Sequence, residues 1–304
     1  MASEDEYPKY LTSIPYSEES ALNTLDLCIP RPSDSPSDSQ NLWLIYIHGG
    51  AWRDPAIDST SFNPILSHLL KSKTNTSIAG YATLNYRLSP YASHPTSPSN
   101  PSDPSRNAKH PDHINDILAA LLYLQETYGF GENYILAGHS VGATLAMQVA
   151  MKRFWGSQYE STFALELNAV PPLAIVGLEG IYDIPALVSR HAEQPVYRDF
   201  VTNAMAPGDW ESASPARHEE FEESWPDGRV VVLAHSPDDS LVEGEQTEGM
   251  RETLEAQGFN GDEGKAERRV RIVELTGEHD EVWQTGEAAK VIEAAVKELS
   301  PSST

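Results

Sequence analysis

The sequence predicts an α/β protein with a mostly parallel central sheet, helices on both faces and a small helical cap. Two observations support this prediction. Short apolar runs recur along the chain, and most of them do not alternate with polar residues, as in strands that are buried on both faces. They are bounded by turn residues and consist of LWLIYI (42–47), YILA (134–137), LAIVGL (173–178), VVVLA (230–234) and VRIVEL (270–275). Helix-like segments separate these runs, and strands that alternate with helices favour a parallel sheet.

The clearest helix is predicted over 113–129, where aliphatic side chains between positions 114 and 124 share one wide face. Asp112 is the predicted N-cap and Gly129 the predicted C-terminal stop, because these residue types favour those positions. Three further segments are predicted to be helical, namely 60–72, 142–154 and 286–299.

We predict a single domain over 1–304, although a length of 304 residues would also allow about two. Two stretches depart from the alternation of strands and helices. Residues 89–106 hold little apolar material and are predicted to form a Pro/Ser-rich surface insertion. A tolerated insertion without function is favoured there over a loop at the mouth of a site. Residues 184–226 carry Trp and Phe side chains among many charges and are predicted to cap a pocket.

Composition excludes several classes of partner. The chain carries 21 Lys and Arg against 45 Asp and Glu, a formal net charge of −24 with His neutral. This charge argues against nucleic acids and anionic membranes, because both attract basic side chains. The single cysteine, Cys28, excludes an intramolecular disulfide and zinc sites built from several cysteines. The N-terminus lacks a signal-peptide pattern and the apolar runs are too short to span a bilayer, so we expect a soluble, cytoplasmic protein.

The strongest chemical signal is the segment GHSVG over 138–142, which follows the run YILA and precedes a helix-like stretch. This is the strand–turn–helix context of the G-x-S-x-G elbow of α/β-hydrolases. The turn is so tight that glycines at 138 and 142 are needed to let neighbouring backbone approach the serine. Ser140 is therefore the predicted nucleophile, with its Oγ standing clear of the sheet.

A second signal, the segment HGGAW over 48–52, comes directly after the run LWLIYI. Esterase-like hydrolases use a His-Gly-Gly segment at this place to direct backbone N–H groups at the developing oxyanion. Gly49 and Gly50 allow backbone geometries that other residues avoid. We predict an oxyanion hole formed by the N–H groups of Gly50, Ala51 and Val141.

A serine hydroxyl needs a base, and the base needs a carboxylate to orient it. The fold supplies these groups in the chain order Ser, acid, His. Of the ten histidines, only His279 follows both Ser140 and the best candidate acid, and it lies in a loop after the last apolar run. His279 is therefore the predicted base.

The acid is predicted in the loop after the run VVVLA, where Asp238 and Asp239 are adjacent. The usual hydrolase pattern places the acid three residues before a valine, here Val242, which favours Asp239. Asp238 is the alternative. Asp183, one strand earlier, is a third candidate, but capping of the next segment is its favoured role.

Other residues near the motifs are predicted to hold the shape of the loops. His48 and His139 are expected to hydrogen-bond to the backbone and not to carry protons. Arg87 is placed to pair with Asp116 on the following helix, and an ordinary ion pair is favoured there over a brace for the oxyanion loop. Trp52 either walls an aromatic substrate site or is buried at the top of the sheet. The sequence contains no metal-binding or nucleotide-binding motif, so we predict a reaction without metal or cofactor.

Taken in order, HGGAW, GHSVGA, HSPDDSLV and GEHDEVW resemble the motifs of the HGGXW-type kynurenine formamidases, in the esterase/lipase branch of the α/β-hydrolase fold. The resemblance extends from about residue 42 to the C-terminal helix. Its most specific part is YIHGGAWRDP (46–55), and HDEVW (279–283) is similar to the family's loop for the catalytic His. The insertion at 89–106 and the adjacent Asp residues depart from the family pattern.

This resemblance implies hydrolysis of a small-molecule substrate, N-formyl-L-kynurenine, to L-kynurenine and formate in tryptophan catabolism. It implies that Ser140 is the nucleophile, Asp239 the acid and His279 the base, with Gly50 and Ala51 in the oxyanion hole. It also suggests a homodimer. The residues alone fit a general carboxylesterase on short acyl esters equally well. A non-catalytic hydrolase-fold binding protein is a third hypothesis, which we disfavour because all three triad residues are available.

Overall fold

The central sheet of the protein has eight strands in the computed structural model, which describes residues 6–32, 42–151, 168–261 and 268–299. The strands are β1 (Lys9–Pro15), β2 (Thr24–Ile29), β3 (Leu42–Ile47), β4 (Ile78–Leu84), β5 (Tyr134–His139), β6 (Ala174–Leu178), β7 (Val230–His235) and β8 (Arg269–Glu274). Their spatial order is β1-β2-β4-β3-β5-β6-β7-β8. Strands β3 to β8 run parallel, whereas β1 and β2 pair antiparallel at one edge.

The helices of the described ranges lie on both faces of this sheet. They are α1 (Asn63–Leu69), α2 (Asp112–Tyr128), α3 (Val141–Val149), α4 (Ile184–Arg190), α5 (Pro195–Ala204), α6 (Trp210–Ala213), α7 (Phe221–Ser224), α8 (Gly244–Ala256), α9 (Glu281–Gln284) and α10 (Glu287–Leu299). None of them combines the length and the apolar character that a membrane crossing requires.

Two apolar cores hold the layers together, one on each face of the sheet. One core gathers side chains of α1, α9 and α10, and the other gathers side chains of α2 to α8. Along β5, Leu136 belongs to one core and its neighbours Ile135 and Ala137 belong to the other. This alternation is what a strand buried on both faces requires, because successive side chains point to opposite faces.

The predicted fold class is confirmed by this architecture. Each of the five apolar runs forms one of the parallel strands β3, β5, β6, β7 and β8. The sequence does not predict strands β1, β2 and β4, and two of them, β4 and β1, show why. In β4 the sequence IAGYATL is diluted by small residues, and most of β1 is exposed to solvent, so neither carries a strong apolar run.

The helix boundaries are partly as predicted. Gly129 ends α2 in the left-handed conformation, with φ 67°. The N-cap prediction is wrong, because Asp112 is the first helical residue, and its carboxylate accepts a hydrogen bond from the Lys109 N–H at 3.0 Å. The helix predicted over 60–72 is shorter, and α1 begins at Asn63 because Pro64 favours the first turn of a helix. Of the helix predicted over 142–154, residues 152–154 lie outside the described residues.

The parallel strands bring distant parts of the chain to one edge of the sheet. The loops that follow β3, β5, β7 and β8 all leave from the carboxyl ends of parallel strands, where α/β folds hold their ligands. Tyr91 of the insertion 89–106 and three residues of α5, which lies within 184–226, line a cavity together with Ser140. Both of the stretches that depart from the strand–helix alternation therefore contact the predicted site.

Candidate active site

The turn that carries Ser140 depends on two glycines. Ser140 has φ 54° and ψ −122°, a strained conformation for a residue with a side chain. A Cβ atom on Gly138 would lie 2.2 Å from the carbonyl oxygen of Gly142, and one on Gly142 would lie 2.3 Å from that of Ile47. No side chain fits at either position. Because both residues are glycines, the chain can pass from β5 into α3 within one residue and leave Ser140 at the cavity.

His279 and Asp239 form a direct hydrogen-bonded pair next to this cavity. The Nδ1 of His279 lies 2.7 Å from Oδ2 of Asp239. The other carboxylate oxygen, Oδ1, accepts hydrogen bonds from the N–H groups of Leu241 at 2.8 Å and Val242 at 2.9 Å. Burial acts to raise the pKa of Asp239, but the hydrogen bond and charge of His279 and the Val242 N–H outweigh it and lower the pKa to about 2. Asp239 is thus a fixed negative charge, and Nε2 is the nitrogen of His279 left to accept a proton.

A second histidine holds the His279 loop in place. The Nε2 of His139 lies 2.9 Å from the carbonyl oxygen of His279, and the two rings are 4.6 Å apart between centroids. Burial lowers the pKa of His139 to about 3, so its ring is neutral and donates to this carbonyl. His48 likewise contacts backbone, since its Nδ1 lies 2.9 Å from the carbonyl oxygen of Gly49. Both histidines make the backbone contacts that the sequence predicted.

The HGGAW segment turns sharply as it leaves β3. Gly50, Ala51 and Trp52 have successive positive φ values of 90°, 50° and 58°. Tyr86 Oη contacts the carbonyl oxygens of His48 and Gly49, each at 3.1 Å, which fixes the start of the turn. Strain of this kind costs about 1–3 kcal/mol for each non-glycine residue, and it is tolerated where the surrounding structure imposes it.

The turn leaves backbone N–H groups without partners beside Ser140. Within the described residues, no acceptor takes a hydrogen bond from the N–H groups of Gly50, Ala51 or Val141. Gly50 and Ala51 line the same cavity as Ser140. Buried N–H groups are seldom left unpaired. An unpaired set beside a serine is suited to binding a negatively charged oxygen.

An ion pair supports the segment after β4 that carries Tyr86. The Arg87 guanidinium contacts the Asp116 carboxylate at 2.7 Å, and the Arg87 backbone N–H donates to the same carboxylate at 2.9 Å. The sequence predicted this pair. Because Tyr86 precedes Arg87 in the chain, the pair also fixes the backbone next to the HGGAW turn.

The other candidates for the acid have different surroundings. Asp238 is exposed to solvent, whereas Asp239 is partly buried against His279. Asp183 caps α4 by accepting the N–H of Ala186 at 2.9 Å, and it pairs with Arg217 at 3.0 Å. Capping is the role that the sequence favoured for Asp183.

Glu179 is a buried carboxyl that the sequence reasoning missed. It directly follows β6, is fully buried and has φ 49°. One oxygen accepts the Ser236 N–H at 3.0 Å and the other lies 2.8 Å from Nδ1 of His235. Burial, together with the nearby carboxylate of Asp239, raises the pKa of Glu179 to about 7, although the contact with His235 acts to lower it. The available signal was its place at the carboxyl end of a predicted strand.

The cavity has a volume of about 300 Å³ and is open to solvent. Its polar end holds Ser140, His279 and the HGGAW turn, and its walls include Tyr91, Tyr197 and Phe200. Trp52 is not among the lining residues. It is 1 % exposed and packs with its ring centroid 6.2 Å from that of Phe200, which fits burial at the top of the sheet.

Two groups of side chains in the described residues bring three possible metal ligands within 4.8 Å of one another. They are His139, His279 and Asp280, and Glu179, His235 and Asp239. In the first group, the His139 ring contacts the His279 carbonyl and His279 contacts Asp239. In the second group, the Asp239 carboxylate bonds to His279 and to two backbone N–H groups. Nε2 of His139, Nδ1 of His279 and the carboxylate of Asp239 therefore already have hydrogen-bond partners within the protein.

The sequence is similar to known proteins over nearly its whole length. A kynurenine formamidase-like hydrolase of Fusarium equiseti is 36% identical over 303 residues, which cover 97% of this chain and 97% of that protein. A kynurenine formamidase of Aspergillus versicolor is 35% identical, with 93% of this chain and 98% of that protein covered. One of Meyerozyma guilliermondii is 33% identical, with 85% and 86% covered. No family model matches the sequence.

Several solved structures with a similar fold are esterases. Esterase B of Lactobacillus rhamnosis has a TM-score of 0.66 and 16% identity, covering 97% of this chain and 86% of that one. A truncated carbohydrate esterase from gut microbiota has a TM-score of 0.66 and 17% identity, covering 97% and 98%. At such low identity the likeness concerns the fold alone, which is the α/β-hydrolase fold.

Proposed function

The chain belongs to the kynurenine formamidase family, and from this premise we propose that it hydrolyses N-formyl-L-kynurenine to L-kynurenine and formate. The observation that carries the proposal is the hydrogen bond between His279 and Asp239 at a cavity that also holds Ser140. We propose these three residues as the catalytic triad, and the free N–H groups of Gly50, Ala51 and Val141 as the oxyanion hole.

The first half of the reaction forms a formyl-enzyme. The Nε2 of His279 accepts the proton of Ser140 Oγ as this oxygen attacks the formyl carbon. The carbonyl oxygen becomes an oxyanion and accepts hydrogen bonds from the free N–H groups, each of which contributes about 3–4 kcal/mol in comparable sites. The protonated His279 then donates its proton to the aniline nitrogen, the carbon–nitrogen bond breaks and L-kynurenine leaves.

The second half of the reaction returns the free enzyme. Water attacks the carbonyl carbon of formyl-Ser140, and Nε2 of His279 accepts its proton. The same proton passes to Ser140 Oγ as the carbon–oxygen bond breaks, and formate leaves. Asp239 keeps the proton of His279 on Nδ1 and stabilises the imidazolium in both halves.

The chemistry of this substrate fits the cavity. Formyl is the smallest acyl group, so it requires no acyl pocket beyond the oxyanion turn. The leaving group is an aryl amine, which departs more readily than an alkyl amine. The aryl ring requires an apolar wall, which Tyr197 and Phe200 supply. We propose that this reaction takes place in the cytoplasm on a small molecule, without metal or cofactor.

The test is the hydrolysis of N-formyl-L-kynurenine by purified wild-type protein and by Ser140→Ala, with kynurenine release followed by absorbance. We expect Ser140→Ala to lower kcat on the order of 10⁴–10⁶-fold, because the nucleophile is lost. Ser67→Ala, on the exposed side of α1, is the matched control and should keep wild-type turnover. Equal turnover of Ser140→Ala and the wild type would sink the assignment of the nucleophile.

A further inference from the structure

The substrate proposed above has an α-amino-acid end that the triad does not contact. We propose that Arg53 binds the α-carboxylate of this end, an inference that rests on the proposed function and deepens it. Arg53 directly follows the HGGAW segment and lines the cavity that holds Ser140.

Arg53 is held in a fixed orientation. It is 5 % exposed, and its Nη1 donates to Oδ2 of Asp199 on α5 at 2.6 Å. Its guanidinium carbon lies 4.1 Å from the ring centroid of Tyr91 and 5.8 Å from that of Phe200. A planar guanidinium that is stacked on an aromatic ring is preorganised, so little entropy is lost when it binds a carboxylate.

The guanidinium also has donors to spare. Its Nε and Nη2 find no hydrogen-bond acceptor among the described residues, and only Nη1 contacts Asp199. A guanidinium can pair with a carboxylate through two parallel N–H groups. A ligand carboxylate in the cavity would complete this pairing, while Asp199 keeps its contact with Nη1.

The charged residues that line the cavity also favour an α-carboxylate at Arg53. Among the described residues that line the cavity, Arg53 is the only lysine or arginine. Asp54 and Asp280 line the same cavity, in a chain with a formal net charge of −24. These two aspartates would repel a ligand carboxylate from every part of the cavity except Arg53. They would attract the ammonium group of an amino acid. The site therefore suits a zwitterion that is attached to an aryl group.

A tether is the competing role for Arg53, because its bond to Asp199 also ties α5 to the turn after β3. The two roles differ in what the ligand must contain. A carboxylate-binding residue affects only substrates that have the carboxylate. A tether affects every substrate that enters the cavity, and Asp199→Asn would reproduce the effect of an Arg53 substitution.

The experiment compares wild type, Arg53→Gln, Arg53→Lys and Asp199→Asn on two formamides. One is N-formyl-L-kynurenine, and the other is its decarboxylated analogue, N-formylkynuramine, which keeps the aryl formamide and the amine. We expect Arg53→Gln to raise KM for N-formyl-L-kynurenine about 10–100-fold, the range of one charged hydrogen-bonding pair, with kcat nearly unchanged. KM for the decarboxylated analogue should change less than about threefold. Arg53→Lys should restore part of the loss, since it keeps the charge.

The control is Arg217→Gln, since Arg217 pairs with Asp183 and Glu211 and does not line the cavity. It should behave as the wild type on both substrates. An equal rise in KM for both substrates in Arg53→Gln, matched by Asp199→Asn, would show a tether and overturn the inference. An unchanged KM for N-formyl-L-kynurenine in Arg53→Gln would also overturn it. Failure of the wild type to hydrolyse either formamide would instead overturn the proposed function, and the inference with it.

Discussion

At the scale of single residues, the account depends on the environment of two adjacent carboxylates. Asp239 accepts hydrogen bonds from His279 and two backbone N–H groups, whereas Asp238 is exposed and has no such set of donors in the described structure. The sequence could rank the two by their spacing to Val242, because the hydrolase pattern is local. It could not rank them by their contact with His279, which lies in a loop forty residues away.

A pair of isosteric substitutions separates these carboxylates. Asp239→Asn should lower kcat for N-formyl-L-kynurenine on the order of 10⁴-fold, because an amide no longer holds the reactive tautomer of His279 or stabilises its imidazolium. Asp238→Asn should leave kcat within about twofold of the wild type, as expected for an exposed side chain. Steady-state kinetics on both variants is the check, and the reverse order of effects would assign the acid to Asp238.

Arg53 and Glu179 show what single-residue reasoning cannot find. Both are ordinary charged residues in the sequence, one after HGGAW and one after a strand. Their importance comes from partners brought by other elements, which are Asp199 on α5 for Arg53 and His235 at the end of β7 for Glu179. No local pattern encodes such contacts between distant segments.

At the scale of elements, the strands that hold the site were predictable and the edge of the sheet was not. Strands β3, β5, β6 and β7 are buried on both faces or nearly so, which gives each a continuous apolar run. Strand β8 forms an edge of the sheet and is only partly buried, and its run includes Arg271 and Glu274. The antiparallel strand β1 has one weakly covered side and is mostly exposed, so its pattern resembles that of a loop. The site could therefore be predicted from sequence because it is built on the buried strands.

Replacing glycine by alanine should change the stability of the fold in opposite directions at the elbow between β5 and α3 and in α8. Gly138→Ala would place a Cβ 2.2 Å from backbone atoms of Gly142 and should destabilise the fold by several kcal/mol or prevent folding. Gly249 lies in the middle of α8, and a Cβ added there would meet no neighbouring atom within 4 Å. Gly249→Ala should therefore stabilise the fold by about 0.5–1 kcal/mol, because alanine has the higher helix propensity. Urea unfolding monitored by circular dichroism measures both changes, and a tolerated Gly138→Ala would contradict the elbow geometry.

At the scale of the whole molecule, buried histidines set the response of stability to acid. Burial lowers the pKa of His48 and His110 to about 4 and that of His113 and His139 to about 3. Each of these folded-state values lies below the unfolded value of 6.5, so the stabilisation is present above pH 6.5 and is lost as the pH falls toward the folded value. Glu179 acts in the opposite direction, because its raised pKa stabilises the folded state as the pH falls below about 7.

The four histidines should outweigh the one glutamate. Between pH 7 and pH 5, each of these four histidines is expected to cost on the order of 1–2 kcal/mol, so the free energy of unfolding should fall. The urea midpoint at the two pH values is the measurement. His113→Gln should show a weaker fall than the wild type, whereas His68→Gln, at an exposed position of α1, should show the full fall. A midpoint that is equal or higher at pH 5 would contradict this balance.

A formamidase and a general esterase on the same fold differ in the substrate that they prefer. The most direct measurement is the ratio of kcat/KM for N-formyl-L-kynurenine to kcat/KM for p-nitrophenyl acetate, on one preparation of the purified protein, with Ser140→Ala as the blank. The account predicts a ratio above one, with both activities lost in Ser140→Ala. A ratio below one, with the ester hydrolysed through Ser140, would contradict it and identify a carboxylesterase.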